Sequence, residues 1–176
     1  MSYGAIRSQK SGFQTCNPTK GAPIIDGVAH DANIAPKLLC KPNTGTYENG
    51  FDRAGADYGA AVGEGKLYVG EVMDVHPASS TPYDKTTAYG AGAKIKLAEC
   101  VKDEIYELRC GSSSWDYGRQ IKVGANGLAV TMVLATNADV ASKHKRVHYF
   151  TVAEEISSAT LVLAKYEGIG YEQLAT

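Results

Sequence analysis

Residues 120–134 read QIKVGANGLAVTMVL, and this stretch is the strongest local indication of the fold. Its Asn126-Gly127 pair lies between two short apolar segments, QIKV before it and LAVTMVL after it. Asn-Gly favours a type I′ hairpin turn, because both central positions of that turn need a positive φ. The stretch therefore predicts two antiparallel strands joined by a tight turn.

Short alternating segments occur on both sides of this hairpin. Residues 94–101 and 105–110 alternate apolar with polar side chains. The apolar positions of residues 97–108 also fit one face of a helix, but flanking glycines and β-branched and aromatic residues favour strands. Six or seven short strands between Lys66 and Tyr166 predict an all-β domain, a small sandwich or barrel. The further strands are expected at 67–75, 146–152 and 160–166.

The N-terminal third of the chain lacks this regularity. Residues 1–65 contain ten glycines and four prolines, and their apolar residues come mostly in short pairs. Such a segment is a poor independent folder, because glycine raises the entropy cost of ordering and proline removes backbone donors. We predict a long, irregular, loop-rich arm over residues 1–65 and a β domain over residues 66–176. Ile24, Ile25, Leu38 and Leu39 are candidate anchors, which dock either on the chain's own β domain or on a neighbouring protein.

Composition argues against several classes of partner. The 176 residues carry 18 Lys and Arg against 19 Asp and Glu, a formal charge of −1. No excess of positive charge draws the chain to nucleic acid, and no run of about 18 apolar residues is present to span a bilayer. The first ten residues, MSYGAIRSQK, lack the apolar core of a signal peptide. The chain is therefore expected to be made in a cytoplasm and to need neither nucleic acid nor a membrane.

No residue pattern indicates catalysis or a bound metal. His144 and His148 occur in KHKRVH, but on a strand they would be about 13 Å apart, too far to share one ion. The segment GAAVGEGK at residues 59–66 lacks the ending of a phosphate-binding loop. We expect no enzyme activity, no cofactor and no metal site.

The four cysteines do not form a recognisable framework. Cys16, Cys40, Cys100 and Cys110 include no C-x-x-C pair and no zinc-finger spacing to a histidine. Buried free thiols are expected for a cytoplasmic product. Whether Cys100 and Cys110 pair with each other stays open from the sequence.

Three phrases in the second half of the chain carry a family resemblance. IYELRC, GRQIKVGANG and YFTVAEE, in this order, resemble the β-rich decoration (cement) proteins of tailed-bacteriophage capsids. The resemblance implies a β-tulip-like fold and a structural role on the outer surface of a virion, where such proteins clamp neighbouring subunits of the major capsid protein. It also implies a homo-oligomer, with a trimer favoured and a dimer possible. The anchors Ile24, Ile25, Leu38 and Leu39 would then contact the capsid.

A different class of function is also open. A carbohydrate- or receptor-binding module would be β-rich as well and would expose aromatic rings. In that case Trp115 and Tyr117 would form its surface platform. This reading and the capsid reading differ in whether the chain binds a soluble sugar with no capsid present.

Overall fold

A computed structural model describes residues 22–43, 45–56, 58–60, 65–71, 79, 84–135 and 144–173. These residues form ten β-strands and one short 3-10 turn, Ala125–Gly127, and no α-helix occurs among them. The prediction of an all-β fold is confirmed. The strands are β1 (Ile24–Ala29), β2 (Leu39–Pro42), β3 (Gly50–Arg53), β4 (Tyr68–Gly70), β5 (Lys94–Glu99), β6 (Ile105–Trp115), β7 (Gln120–Val123), β8 (Ala129–Thr131), β9 (His144–Val152) and β10 (Ile156–Gln173).

The strands form two closed barrels of five strands each. The first barrel has the order β1-β3-β2-β4-β5, and β5 pairs with β1 to close it. The second barrel has the order β6-β8-β7-β9-β10, and β10 pairs with β6 to close it. Closure gives each strand a neighbouring strand on both sides, whereas an open sheet leaves edge strands that are prone to aggregation.

The second barrel repeats the first, strand for strand. Strands β6 to β10 occupy the places of β1 to β5 in the same order, and the parallel pair β1–β3 corresponds to the parallel pair β6–β8. The registers of the antiparallel pairs recur as well, so that each strand residue of the first barrel has an equivalent in the second. Examples of equivalent pairs are Ile25–Leu97 and Tyr106–Ala164, Cys40–Tyr68 and Ile121–Phe150, and Ala29–Phe51 and Cys110–Ala129.

The repeat includes the turn before the second strand of each barrel. Residues 35–38 and residues 116–119 each form a turn closed by a hydrogen bond from the last N–H to the first carbonyl, 3.3 and 3.2 Å long. The third residue of each turn has a positive φ, 69° at Lys37 and 83° at Gly118. Its N–H donates to the last residue of the barrel's fourth strand, at 2.7 and 2.9 Å. The chain is therefore a structural duplication.

The buried hydrophobic residues form two clusters, one inside the first barrel and one that extends from the first barrel into the second. Cys40 and Tyr68 face the interior of the first barrel, where they pack with its other inward residues. Their neighbours Leu39 and Val69 point the other way and pack with the core residues of the second barrel. Because β2 and β4 are buried on both faces, the barrels pack together through these strands.

The predicted arm must be corrected where the structure describes it. Three strands, β1 to β3, lie within residues 24–53, and they pair with β4 and β5 to form one barrel. The predicted boundary at residue 65 therefore falls inside this barrel. The division between barrels falls between β5 and β6. The sequence pattern missed these strands because each is only four to six residues long and finds its partners far along the chain. Residues 1–21 lie outside the described residues.

The predicted hairpin and its turn are confirmed, and the second strand, Ala129–Thr131, is shorter than the predicted segment 128–134. Val123 pairs with Ala129, and Asn126 and Gly127 have φ values of 60° and 72°. The N–H of Leu128 donates to the carbonyl of Ala125 at 3.3 Å, which closes the turn.

The other strand predictions differ mainly in length. Residues 94–99 and 105–115 are strands, so the helical alternative for residues 97–108 is wrong. β6 and β10 are longer than predicted. Of the strand expected over residues 67–75, the structure has Tyr68–Gly70, and residues 72–78 lie outside the described part.

Candidate interaction surfaces

Two of the four predicted capsid-contact residues lie in the core. Leu38 is 5% exposed and Leu39 is 0% exposed, and Leu39 belongs to the cluster that joins the barrels. A side chain buried to this degree cannot contact a partner while the protein stays folded. Of the two possibilities for this pair, docking on the chain's own β structure is the one observed, and the capsid-contact prediction is corrected for Leu38 and Leu39.

The other pair lies on β1 and is divided between its two faces. Ile25 is half-buried and packs on the core of the first barrel. Ile24 points outward and is 47% exposed. Among the four predicted anchors, Ile24 is the one whose side chain remains available to a partner.

The predicted aromatic platform is not formed. Trp115 is 3% exposed and packs in the core of the second barrel, with Ile156 opposite it on β10. Tyr117 is 70% exposed. The two rings therefore belong to different environments, and Trp115 is corrected from a surface residue to a core residue.

Tyr117 lines an open groove on the second barrel, called here the Tyr117 groove. One wall is the turn at residues 116–120, and the other is formed by residues 132–134 after β8. The walls are joined by a hydrogen bond from the N–H of Met132 to the carbonyl of Gln120, 3.1 Å long. Tyr117 and Val133, at 70% and 63% exposure, are the two most exposed of the large apolar side chains described, and they line this same groove.

A second open groove lies on the first barrel, called here the Val28 groove. It is lined by Asp26, Gly27 and Val28 of β1, by Asn49 before β3, and by Lys94 at the start of β5. Its floor is backbone, since the N–H of Val28 donates to the carbonyl of Asn49 at 2.8 Å. Both grooves are open surfaces of the kind that suits a macromolecular contact better than an enclosed small-molecule site.

A polar cluster in the first barrel resembles a catalytic arrangement in its distances. His30 Nδ1 is 2.9 Å from Asp52 Oδ1, and His30 Nε2 is 3.0 Å from the hydroxyl of Thr46. Asp52 also accepts a hydrogen bond from the amide of Asn43, at 2.5 Å. The sequence pattern missed this cluster because its members are spread over residues 30–52. The same bonds hold the connection between β2 and β3, which is a structural role.

The histidine and cysteine side chains that the structure describes are buried or half-buried. His148 lies on β9, within the strand predicted over residues 146–152, and is 3% exposed, with its ring stacked against Tyr58 and Tyr166. No group of three or more potential metal ligands occurs among the residues described.

Cys40, Cys100 and Cys110 are free thiols, and burial raises the pKa of Cys40 to about 12.

The chain was compared with family models, with curated proteins and with solved structures. No family model and no curated protein matches it. Among solved structures it is similar to the N base of head fiber gp8.5 of bacteriophage phi29, with a TM-score of 0.47 and 14% sequence identity. The likeness covers 88% of this chain and 98% of that one, and a likeness of this size does not establish a shared function. Within the described residues, no helix is long and apolar enough to cross a membrane.

Proposed function

We propose that the chain is a structural protein of a bacteriophage virion. It binds the outer surface of the capsid and stabilises the shell by clamping neighbouring subunits of the major capsid protein. It acts through surface contact and carries out no catalysis, and it uses no cofactor, nucleic acid or membrane. Its partners are the major capsid protein and other copies of itself.

The observation that carries this proposal is where the three decoration-protein phrases lie. IYELRC begins β6, GRQIKVGANG covers β7 with its hairpin turn, and YFTVAEE covers the end of β9. All three belong to the second barrel, in which β7 pairs with β9 and β10 bridges β9 and β6. The resemblance therefore refers to one folded unit and not to scattered segments.

The construction of the body also supports a mechanical role. One hydrophobic cluster extends across both barrels, and an ion pair reinforces their junction. Lys85, in the connection before β5, is 2.9 Å from Glu107 on β6, whose side chain is 1% exposed. A closed, continuously packed body resists deformation, because close-packed interiors have low compressibility. Such a body suits a protein that transmits force between shell subunits.

Ile24 is the proposed capsid contact on the first barrel. An isoleucine that is about half exposed at the start of a strand can bury its remaining surface in a partner's pocket. Each bound copy repeats this contact on the lattice, and repeated weak contacts give avidity that no single contact provides.

Sedimentation with capsids tests the proposal. The full chain is mixed with expanded, DNA-free capsids of the source phage, and the shells are pelleted. We expect saturable co-sedimentation at a stoichiometry set by the lattice, weakened by Ile24→Asp and unchanged by Ile169→Asp, which alters an isoleucine of similar exposure on β10. A folded protein that stays in the supernatant contradicts the proposal.

A further inference from the structure

We propose that the chain assembles head to tail with other copies of itself, the Tyr117 groove of one copy docking on the Val28 groove of the next. This specifies the surface behind the self-association in the proposed function. The inference comes from the duplication of the barrel, because the two grooves are the unpaired equivalents of the two sides of the contact within one chain.

In the contact within one chain, the first barrel supplies the backbone hydrogen-bond acceptors and the second barrel supplies the donors. The first barrel contributes the turn at residues 35–38 and the residue after β3: the carbonyl of Lys37 accepts from the N–H of Arg109, and that of Ala54 accepts from the N–H of Gly127, both at 2.8 Å. The second barrel contributes β6 and the hairpin turn after β7. We call the first barrel's side of this contact the docking face and the second barrel's side the receiving face.

The Tyr117 groove is the second barrel's own copy of the docking face. The strand registers and turn bonds make residues 35–39 equivalent to residues 116–120, so Lys37 corresponds to Gly118. Residues 54–56 are likewise equivalent to residues 132–134, since the N–H of the first residue in each donates to the start of its barrel's second strand. These two segments are the walls of the Tyr117 groove.

The Val28 groove is the first barrel's own copy of the receiving face. Val28 is paired with Lys94 as Arg109 is paired with Leu161, so Val28 takes the place of Arg109. Asn49 precedes β3 by one residue and takes the place of Gly127, since Gly50 and Leu128 occupy the same position in their turns. Both equivalents, Val28 and Asn49, line the Val28 groove.

The docking face is buried and its copy in the second barrel is largely exposed, as expected for an interface whose second side is absent. Residues 35–39 are all buried, and the second barrel contacts them through the N–H of Arg109 and through the core around Leu39. Their equivalents at 116–120 are exposed or half-buried, and Tyr117 is 70% exposed where Pro36 is buried. Among the described residues there is no third barrel to cover this face. A second copy of the chain would supply one with the matching receiving face.

Charge is compatible with this pairing. The Tyr117 groove carries Asp116 and Arg119, and the Val28 groove carries Asp26 and Lys94, one acid and one base on each side. Neither face has a net charge that would repel the other, and each can offer an opposite charge to its partner.

The contact between copies is not identical to the contact within one chain. The N–H of Val28 already donates to the carbonyl of Asn49, so it cannot repeat the bond that Arg109 makes within the chain. The bond that Gly127 makes can be repeated. Its equivalent runs from the N–H of Asn49 to the carbonyl of Met132 in the next copy. Asn49 also has a side chain where Gly127 has none, which keeps the copies further apart. The contact is therefore weaker than the one within the chain and depends on concentration.

A heterologous contact of this kind produces a closed ring or an open filament, never an isolated symmetric dimer. Sedimentation velocity on the full chain without capsids measures the assembly, with 18.7 kDa as the mass of one copy. Two variants each block one face: Val133→Arg in the Tyr117 groove and Asn49→Arg in the Val28 groove. Ile169→Arg, an exposed position outside both grooves, is the control.

We expect the unaltered chain and the control to assemble and each blocked variant to be a monomer. A mixture of the two blocked variants should form a dimer, because one intact groove of each kind remains. A chain that is a monomer at every concentration up to about 1 mM, or assembly unaffected by both variants, overturns the proposal. Since no capsid is present, failure here is separate from failure of capsid binding.

Discussion

Gly127 in the hairpin of the second barrel lies directly against the backbone of Leu39 in the first barrel, and a Cβ added at Gly127 would clash with the Leu39 carbonyl oxygen. Gly127 also has a φ of 72°, and its N–H donates to the carbonyl of Ala54 at 2.8 Å. One residue thus satisfies a turn that needs a positive φ and an interface that needs close approach. The junction of the barrels depends on it.

Gly127→Ala is expected to destabilise the protein by about 3 kcal/mol, because it adds a steric clash to an unfavourable φ. The free energy of unfolding from denaturant titration measures the effect. Gly118→Ala is the matched control: Gly118 has a φ of 83° but no atom within 4 Å of an added Cβ, so only the backbone cost of about 1 kcal/mol applies. Equal losses for the two variants would contradict the close contact.

Lys37→Met is expected to lower the free energy of unfolding by about 3–5 kcal/mol. Lys37 Nζ is 3.2 Å from Glu71 Oε2, and the two side chains are 1% and 4% exposed. Removing the ammonium takes away the positive charge that lies against this buried carboxylate. The double variant Lys37→Met with Glu71→Leu should recover most of the loss, because it removes the carboxylate too.

The control for this pair is Lys66, whose ammonium is 2.9 Å from Glu99 but whose side chain is 66% exposed. Lys66→Met should change the free energy of unfolding far less than Lys37→Met does, since water screens exposed pairs. If Lys37→Met is as mild as Lys66→Met, the buried pair does not form.

Cys40 is expected to resist alkylation in the native protein. Burial raises the pKa of its thiol to about 12, so almost none of the reactive thiolate exists at about pH 8. Iodoacetamide treatment followed by peptide mass spectrometry measures the modification of each cysteine. All four cysteines should react in guanidinium chloride, and rapid native labelling of Cys40 would show that the first barrel opens.

His30→Ala is expected to destabilise the protein by about 1–2 kcal/mol and to leave ester hydrolysis unchanged. The substitution removes the hydrogen bonds to Asp52 and Thr46, which hold the connection between β2 and β3. The rate of p-nitrophenyl acetate hydrolysis measures any activity. A rate that falls in both His30→Ala and Thr46→Ala would make the cluster catalytic and refute the proposal that the chain acts without catalysis.

Local patterns in the sequence were sufficient for some elements and not for others. The Asn126-Gly127 hairpin could be predicted because its turn chemistry and both of its strands lie within about fifteen residues. β1 to β3 could not, because Ile25 pairs with Leu97 far along the chain and no nearby residue signals that partner. The duplication was hidden for the same reason: IIDGVA and IYELRC occupy equivalent strands but share only their first residue.

Local sequence patterns were also insufficient to tell which candidate surface residues are exposed. Leu38 and Tyr117 lie in equivalent turns, yet the first is buried and the second is exposed, since a barrel covers only one of the two turns. Trp115 and Tyr117 are two positions apart but belong to the core and the surface, because β6 ends between them. No local pattern could separate these cases.

The sequence by itself determined that the chain is all-β and that a hairpin forms with Asn126 and Gly127 in its turn, because alternation and turn chemistry act over a few residues. Only the tertiary structure decided that the strands close into two equivalent barrels, that Leu39 and Trp115 are buried, and that the Tyr117 and Val28 grooves stay open. Those features depend on which distant segments meet, and burial is a property of the neighbours a residue acquires on folding.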